Sequence, residues 1–216
     1  MKIKSPILYC CYNRLDLIKK SLPILKNIEC KKIYISIDGP KNNAEDININ
    51  NEIKQYIKEL KFFSQVSILE RDENLGCKIA VSNAINWFFE NEEFGIILEE
   101  DLLPSQNFFL FCDYALEKYK YEEKIMMISG TNYLGENISS NKYFFSEHFL
   151  IWGWATWKRA WKYYDVEMKK WHDESVKQDL KDRYNKKEFD FLQKRFDSFF
   201  GSYSDTWDIQ WYFNCI

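Results

Sequence analysis

A chain of 216 residues, 46 % of them hydrophobic, can bury one full core but not several, which predicts a single domain with at most a helical appendage. Its 30 Lys and Arg nearly balance 33 Asp and Glu, leaving a net charge of -3, so no overall field recruits nucleic acid and an anionic ligand has to be held by local groups. The six cysteines, Cys10, Cys11, Cys30, Cys77, Cys112 and Cys215, offer no CxxC or Cys/His ligand spacing, and most sit in apolar runs, which predicts small buried hydrophobes in a reducing cytoplasm.

The basic start, MKIKSPILYCCYNR, reaches Asn13 and Arg14 before any apolar stretch of signal length, and no later segment approaches the length of a membrane span. Residues 6 to 12, PILYCCY, read as a buried strand, and LDLIKKSLPILKN as a helix that Pro23 kinks or ends early. KKIYISID is a second strand closed by the turn signal Asp-Gly-Pro, and residues 44 to 60 come next as a helix. VSILE is a third strand. Val81, Ile85, Phe88 and Phe89 give one apolar face to a helix through AVSNAINWFFEN, and FGIILEED is a fourth strand. Strands alternating with helices predict βαβ units and a parallel sheet, whose ligands gather at the carboxyl ends of the strands. Polar clusters fall at three of those ends: Asn13 with Arg14, Asp38 with Gly39, and Glu99 to Asp101.

Beyond Pro104 the pattern predicts a helix from Gln106 to Lys120, a strand in IMMISG, and then the aromatic block YFFSEHFLIWGWATWKRAWKYYD, dense enough for stacking surfaces as well as core. Residues 171 to 200 read as a solvated amphipathic helix pair. SDTWDIQWYFNCI stops inside a helix-like pattern without a capping glycine or a polar tail, which predicts a chain cut short with part of its site absent.

The chemistry concentrates at Glu99, Glu100 and Asp101, which a buried strand delivers together before Leu-Leu-Pro. Such crowding is costly without a cation, and hard oxygen ligands suit Mg2+ or Mn2+, with substrate phosphates completing the shell. The competing interpretation is a solvated acidic turn. Arg14 suits either a nucleotide base or phosphate, or a helix surface. Asp38 could accept from a uracil N3–H or a ribose hydroxyl, or simply serve the Gly-Pro turn. At Asn74 to Lys78, Gly76 and a helix N-terminus could approach a phosphate with Lys78 as a point charge, or merely start a helix; Walker spacing is missing. His148 and His172 form no ligand pair by spacing.

Taken in order, ILYCCYNRLDLIKKSL, YISIDGP, NLGCKIAVSNAINWFF, IILEEDLLPSQNFF, FLIWGWATWKRAW and TWDIQW resemble the GT-A-type glycosyltransferases, most of all the bacterial nucleotide-diphospho-sugar transferases and more distantly the inverting N-acetylglucosaminyltransferases that act on N-glycans. The resemblance spans essentially the whole chain. It implies an α/β fold of the GT-A, Rossmann-like kind, a mostly parallel central sheet flanked by helices with a helical C-terminal part. Residues 1–104 would form the nucleotide-sugar-binding half, and residues 105–216 the acceptor and catalytic half of the same domain. It further implies that Asp101 binds Mn2+ or Mg2+, that Glu99 and Glu100 face the ribose and donor sugar, and that Asn13, Arg14 and Asp38 hold the nucleotide. The segment around Trp154 would line the donor sugar and acceptor, and Asp208 would be the catalytic base, with Asp205 its local competitor. The sequence has EED where the relatives carry EDD, and TWDIQW is one residue longer between its tryptophans than their WDDW.

The activity implied is an inverting, metal-dependent transfer from a nucleotide diphosphate sugar, a UDP-sugar, to a hydroxyl of a glycan or lipid-linked acceptor in bacterial surface glycan synthesis. The expected place is the cytoplasm or, by peripheral association without a transmembrane segment, the inner face of the membrane. Two other classes stand beside it. Sugar-nucleotide synthesis by nucleotidyl transfer needs a Gly-rich basic loop after the first strand, and CYNRLDL has no glycine there. A carbohydrate-binding or degenerate transferase domain would use the aromatic surface alone.

Overall fold

The computed structural model describes residues 2–30, 32–60, 65–132, 143–201 and 205–216. Six strands are formed: β1 (Ile7–Cys11), β2 (Ile33–Ile37), β3 (Val66–Glu70), β4 (Phe94–Glu99), β5 (Met127–Ser129) and β6 (Trp154–Trp157). They build one mixed sheet in the order β3-β2-β1-β4-β6-β5. β1 lies parallel to β2 and β4, and β2 parallel to β3, whereas β6 runs antiparallel to both β4 and β5. β1, β2 and the middle of β4 are buried on both faces, which is why they read as unbroken apolar runs. β6 departs from expectation. Its four residues are all buried within the aromatic block, so no alternation of polar and apolar residues marks it as a strand.

Eight helices of the described residues flank the sheet: α1 (Leu15–Ser21), α2 (Ala44–Glu59), α3 (Gly76–Asn91), α4 (Gln106–Lys118), α5 (Lys158–Trp161), α6 (Glu174–Arg183), α7 (Lys186–Gly201) and α8 (Asp208–Cys215). α1 gives way to a 3-10 turn, Leu22–Asn27, with Pro23 at its start, where the ring cannot continue α-helical hydrogen bonding. Asn43 caps α2 through the amide of Asp46 and Ser105 caps α4 through that of Phe108, the usual provision for free N–H groups at a helix start. None of the described helices is long and apolar enough to cross a membrane.

Alternation along the strands divides the core. Ile7, Tyr9, Ile33, Ile35, Ile96 and Leu98 face Ile18, Ile53, Phe109 and Leu116 on α1, α2 and α4. Leu8, Tyr34, Ile97 and Trp154 face Ala84, Ile85 and Phe88 of α3, with Trp161, Trp207 and Trp211 joining them. A smaller cluster under α6 to α8 centres on Trp171, Leu192, Phe196 and Phe213. The cysteines follow their local packing rather than one rule. Cys10, Cys11 and Cys112 are buried and Cys30 and Cys215 half-buried, while Cys77 is exposed, because the first turn of α3 opens at the surface outside any apolar run.

Register places the strand ends side by side, with Cys11 opposite Ile37 and Cys10 opposite Glu99. The loop after β2 also touches the loop after β3. A Cβ on Gly39 would meet backbone atoms of Glu73 at 2.3 to 2.5 Å, so the contact requires a residue without a side chain. Gly39→Ala is expected to lower stability by about 1 to 3 kcal/mol, the usual cost of overfilling packed space, read as a fall in the denaturant midpoint at unchanged m value.

Candidate functional site

The apolar run of β4 carries Glu99 out of the core at the sheet edge, and the turn after it presents Glu100 and Asp101. Glu100 is only 6 % exposed. A buried carboxylate needs a partner, and Arg14, in the loop after β1, supplies it. Its Nε donates to Glu100 Oε1 at 2.8 Å and Nη2 lies 2.7 Å from the same oxygen, while Nη1 donates to Asp101 Oδ2 at 3.1 Å. Arg14 thus bridges two of the three acids. Asp101 is half exposed, and its described contacts engage only Oδ2.

Glu99 has no such partner among the described residues. It lies two residues beyond Ile97, so strand alternation turns it to the α3 face, toward the start of α8. Burial, and then the negative charges of Asp101, Glu100 and Asp208, hold its carboxyl at about 7 instead of 4.5, with Arg14 offsetting only part of the effect. Asp208, on the far side of the sequence, is therefore within electrostatic reach of the β4 acids. Thr206 Oγ1 donates to Asp208 Oδ1, and Arg195 Nη2 lies 3.8 Å from Oδ2, its guanidinium resting 4.8 Å over the Tyr212 ring.

Asp38, ending β2, is turned inward and largely engaged by the protein. Its Oδ1 accepts from the amides of Gly39 and Leu75, and Oδ2 accepts from Asn74 Nδ2 at 2.8 Å. Burial raises its carboxyl above the ordinary range, against those N–H groups and Arg71. Asn13 is likewise occupied, donating to Asp46 Oδ1 on α2. Lys78 directs its ammonium to the Phe199 ring, 5.6 Å from the centroid. The N-terminus of α3, at Gly76, already holds an anion: Asp205 accepts from the amides of Cys77 and Lys78, both at 2.9 Å. Trp154 is 1 % exposed and stacks on Trp207 at 5.5 Å, so it belongs to the core; Trp152 is the exposed indole of that segment.

The fold therefore gathers Arg14, Glu99, Glu100, Asp101 and Asp208, with Asp38 alongside, and commits Asn13, Gly76, Lys78, Trp154 and Asp205 to contacts within the chain. Arg71 is a member of this edge that the motifs do not single out. It directly succeeds β3, on the same sheet edge, and its Nε and Nη2 are buried with no hydrogen-bond partner. The strand-end rule, applied to all four parallel strands, would have found it. A groove of about 340 Å³ between Lys4, Phe94, Asp113 and Lys118 lies at the opposite end of β4, away from the acids.

Hard carboxylate oxygens at Asp101 suit a divalent cation, but among the described residues no group of three or more His, Cys, Asp or Glu is arranged to hold one alone. Any such ion would need oxygens from a ligand as well, the usual arrangement for Mg2+ with phosphates. The class defined by the structure is an α/β protein with a six-stranded mixed sheet and an acidic, arginine-bridged edge. Compared with protein-family models and with curated protein sequences, the chain matches none.

Glu99 has a consequence in stability. Unfolded, its carboxyl ionises near 4.5; folded, near 7, so between those values the folded state holds the extra proton. The contribution is complete below the lower value and is lost as pH rises through the upper one. Wild type is expected to lose up to about 3 kcal/mol between pH 4.5 and 7.5 from this group, and Glu99→Gln to lose that much less over the same range. Denaturant titrations of the two proteins at several pH values, showing parallel pH profiles, would contradict the assignment.

Proposed function

We propose that the chain is a glycosyltransferase of the GT-A kind, transferring a sugar from a nucleoside diphosphate, a UDP-sugar, to a hydroxyl of a glycan or lipid-linked acceptor with inversion. The observation that carries the reading is the meeting at one sheet edge of the β4 acids with Arg14 and Asp38 from one half of the sequence and Asp208 from the other. The parallel part of the sheet fits a Rossmann-like nucleotide fold, whose ligands sit at carboxyl strand ends.

Within this reading Arg71, whose Nε and Nη2 are buried with no hydrogen-bond partner among the described residues, is the cation best suited to the nucleotide beside Asp38. Asp101 would hold Mn2+ or Mg2+ together with the donor diphosphate. A cation there neutralises the charge that builds on the departing nucleoside diphosphate. Arg14 would keep Glu100 compensated with or without a cation at Asp101. Asp208 takes the proton from the acceptor hydroxyl, whose oxygen bonds to the anomeric carbon as the diphosphate oxygen leaves. Arg195 and Thr206 hold the Asp208 carboxylate from both of its oxygens.

A second reading, a degenerate transferase domain without catalysis, draws on the same arginine bridge, since Arg14 pairs with Glu100 and Asp101 without any metal. An aromatic sugar-binding surface would fall to Phe145, Trp152 and Tyr163, because Trp154, Trp207 and Trp211 are core residues. Isothermal titration with UDP, with and without Mn2+, separates the readings: a transferase binds UDP in a Mn2+-dependent way, tighter than GDP, and Asp101→Asn abolishes the dependence while keeping the fold. Binding indifferent to Mn2+ contradicts the proposal.

Asp208→Asn is expected to bind UDP and Mn2+ as wild type does and to lose about 10²- to 10⁴-fold in turnover, the usual contribution of a general base. Turnover within a few-fold of wild type would move the base elsewhere.

A further inference from the structure

α3 begins without a local cap. Leu75 precedes it and offers no side-chain hydrogen bond, and Gly76 enters the helix at φ +76, a conformation that disfavours other residues. The N–H groups that a neighbouring Ser, Asp or Asn would ordinarily satisfy are met instead by a carboxylate 128 residues further along the chain. Asp205 Oδ2 accepts from Cys77 and Oδ1 from Lys78, a two-point contact at 2.9 Å each that fixes the orientation of the group as well as its position. The fit is close: a Cβ on Gly76 would lie 2.8 Å from Asp205 Oδ2.

The contact matters because the next three residues lead to Asp208. Thr206 donates to Asp208, and between them Trp207 is 3 % exposed and stacked on Trp154. Residues 205 to 208 are therefore anchored twice, by hydrogen bonds to α3 and by packing against β6. Asp208 is the first residue of α8 and directly follows Trp207, whose partner Trp154 pairs with Ile97 of β4, two residues before Glu99.

We propose that Asp205 is the positioning residue of the site: by gripping the first turn of α3 it sets where Asp208 stands relative to the acids at the end of β4. Its carboxylate is consumed by the two amides, so it is not the base. The kinetic half of this proposal rests on the transferase reading; the structural half does not.

The test compares wild type with Asp205→Ala and Asp205→Asn, well below their melting temperatures. Amide exchange monitored by NMR is expected to speed up at least tenfold in Asp205→Ala both at Cys77 and Lys78 and at Trp211 and Tyr212. Asp205→Asn, which keeps one acceptor oxygen, should change less at both places. Acceleration confined to α3 overturns the proposal, because Asp205 would then be a helix cap and nothing more. In turnover from a UDP-sugar, Asp205→Ala is expected to lose at least tenfold in kcat with donor KM within twofold, and to cost nothing further in an Asp208→Asn background. Losses that multiply in the double variant overturn it, since Asp205 would then act independently of Asp208. If wild type transfers no sugar from any UDP-sugar, the function reading fails, and the exchange at Trp211 and Tyr212 still decides the role of Asp205.

Discussion

Three consecutive carboxylates at the end of a buried strand are the constraint around which the rest of the molecule is arranged. Ile96, Ile97 and Leu98 are drawn into the core, and the backbone cannot bury them without taking Glu99 and Glu100 out of water too. Burying ionised groups without compensation costs more than the apolar residues return. The compensation comes from Arg14, and Arg14 can reach because β1 pairs in parallel with β4, so that both strands end at the same edge. One arginine does not balance three acids. Part of the remainder is met by a proton on Glu99, whose ionisation is delayed to near neutrality.

The acids of this edge divide by the groups that engage them. Asp38 and Asp205 spend their oxygens on amides of neighbouring loops, and each joins segments distant in sequence: Asp38 ties β2 to the loop before α3, and Asp205 ties the start of α8 to α3 itself. Carboxylates used in this way act as rigid connectors, since two N–H groups in fixed directions specify both place and orientation. Asp101 and Asp208 each meet an arginine through Oδ2, and Asp208 also accepts from Thr206 through Oδ1.

How much of this the sequence discloses depends on the range of the interaction. β1, β2 and β4 are visible as continuous apolar runs, and α3 as an apolar face at helical spacing, because those signals are local. The acidic edge emerges from placing polar residues after those runs. The hidden part is non-local. Nothing near Leu75 and Gly76 indicates that α3 is capped from residue 205, and so the helix N-terminus reads as a free anion site when it is filled. Lys78 reads as a phosphate contact because the Phe199 ring that receives it lies on another helix. β6 is hidden for a different reason: a strand buried on both faces inside an aromatic block has no period to detect.

The tryptophans show why composition alone misleads about function. Eight in 216 residues suggest stacking surfaces, yet Trp154, Trp161, Trp207 and Trp211 pack against one another, mostly at tilted angles, with centroids 5.0 to 6.5 Å apart, and Tyr164 lies flat on Trp161 at 4.2 Å. Large rings bury much apolar area with few rotatable bonds, so a cluster of them is an efficient way to fasten a helix to a sheet. That fastening is what the second half of the chain needs, because α8 is short and shows no side-chain cap hydrogen bond of its own. Trp154, Trp161 and Tyr164 of the aromatic block thus hold α5 and α8 against β6, and the position of Asp208 is a product of that packing. Substitutions in the cluster should accordingly disturb the acidic edge although none of the four rings belongs to it.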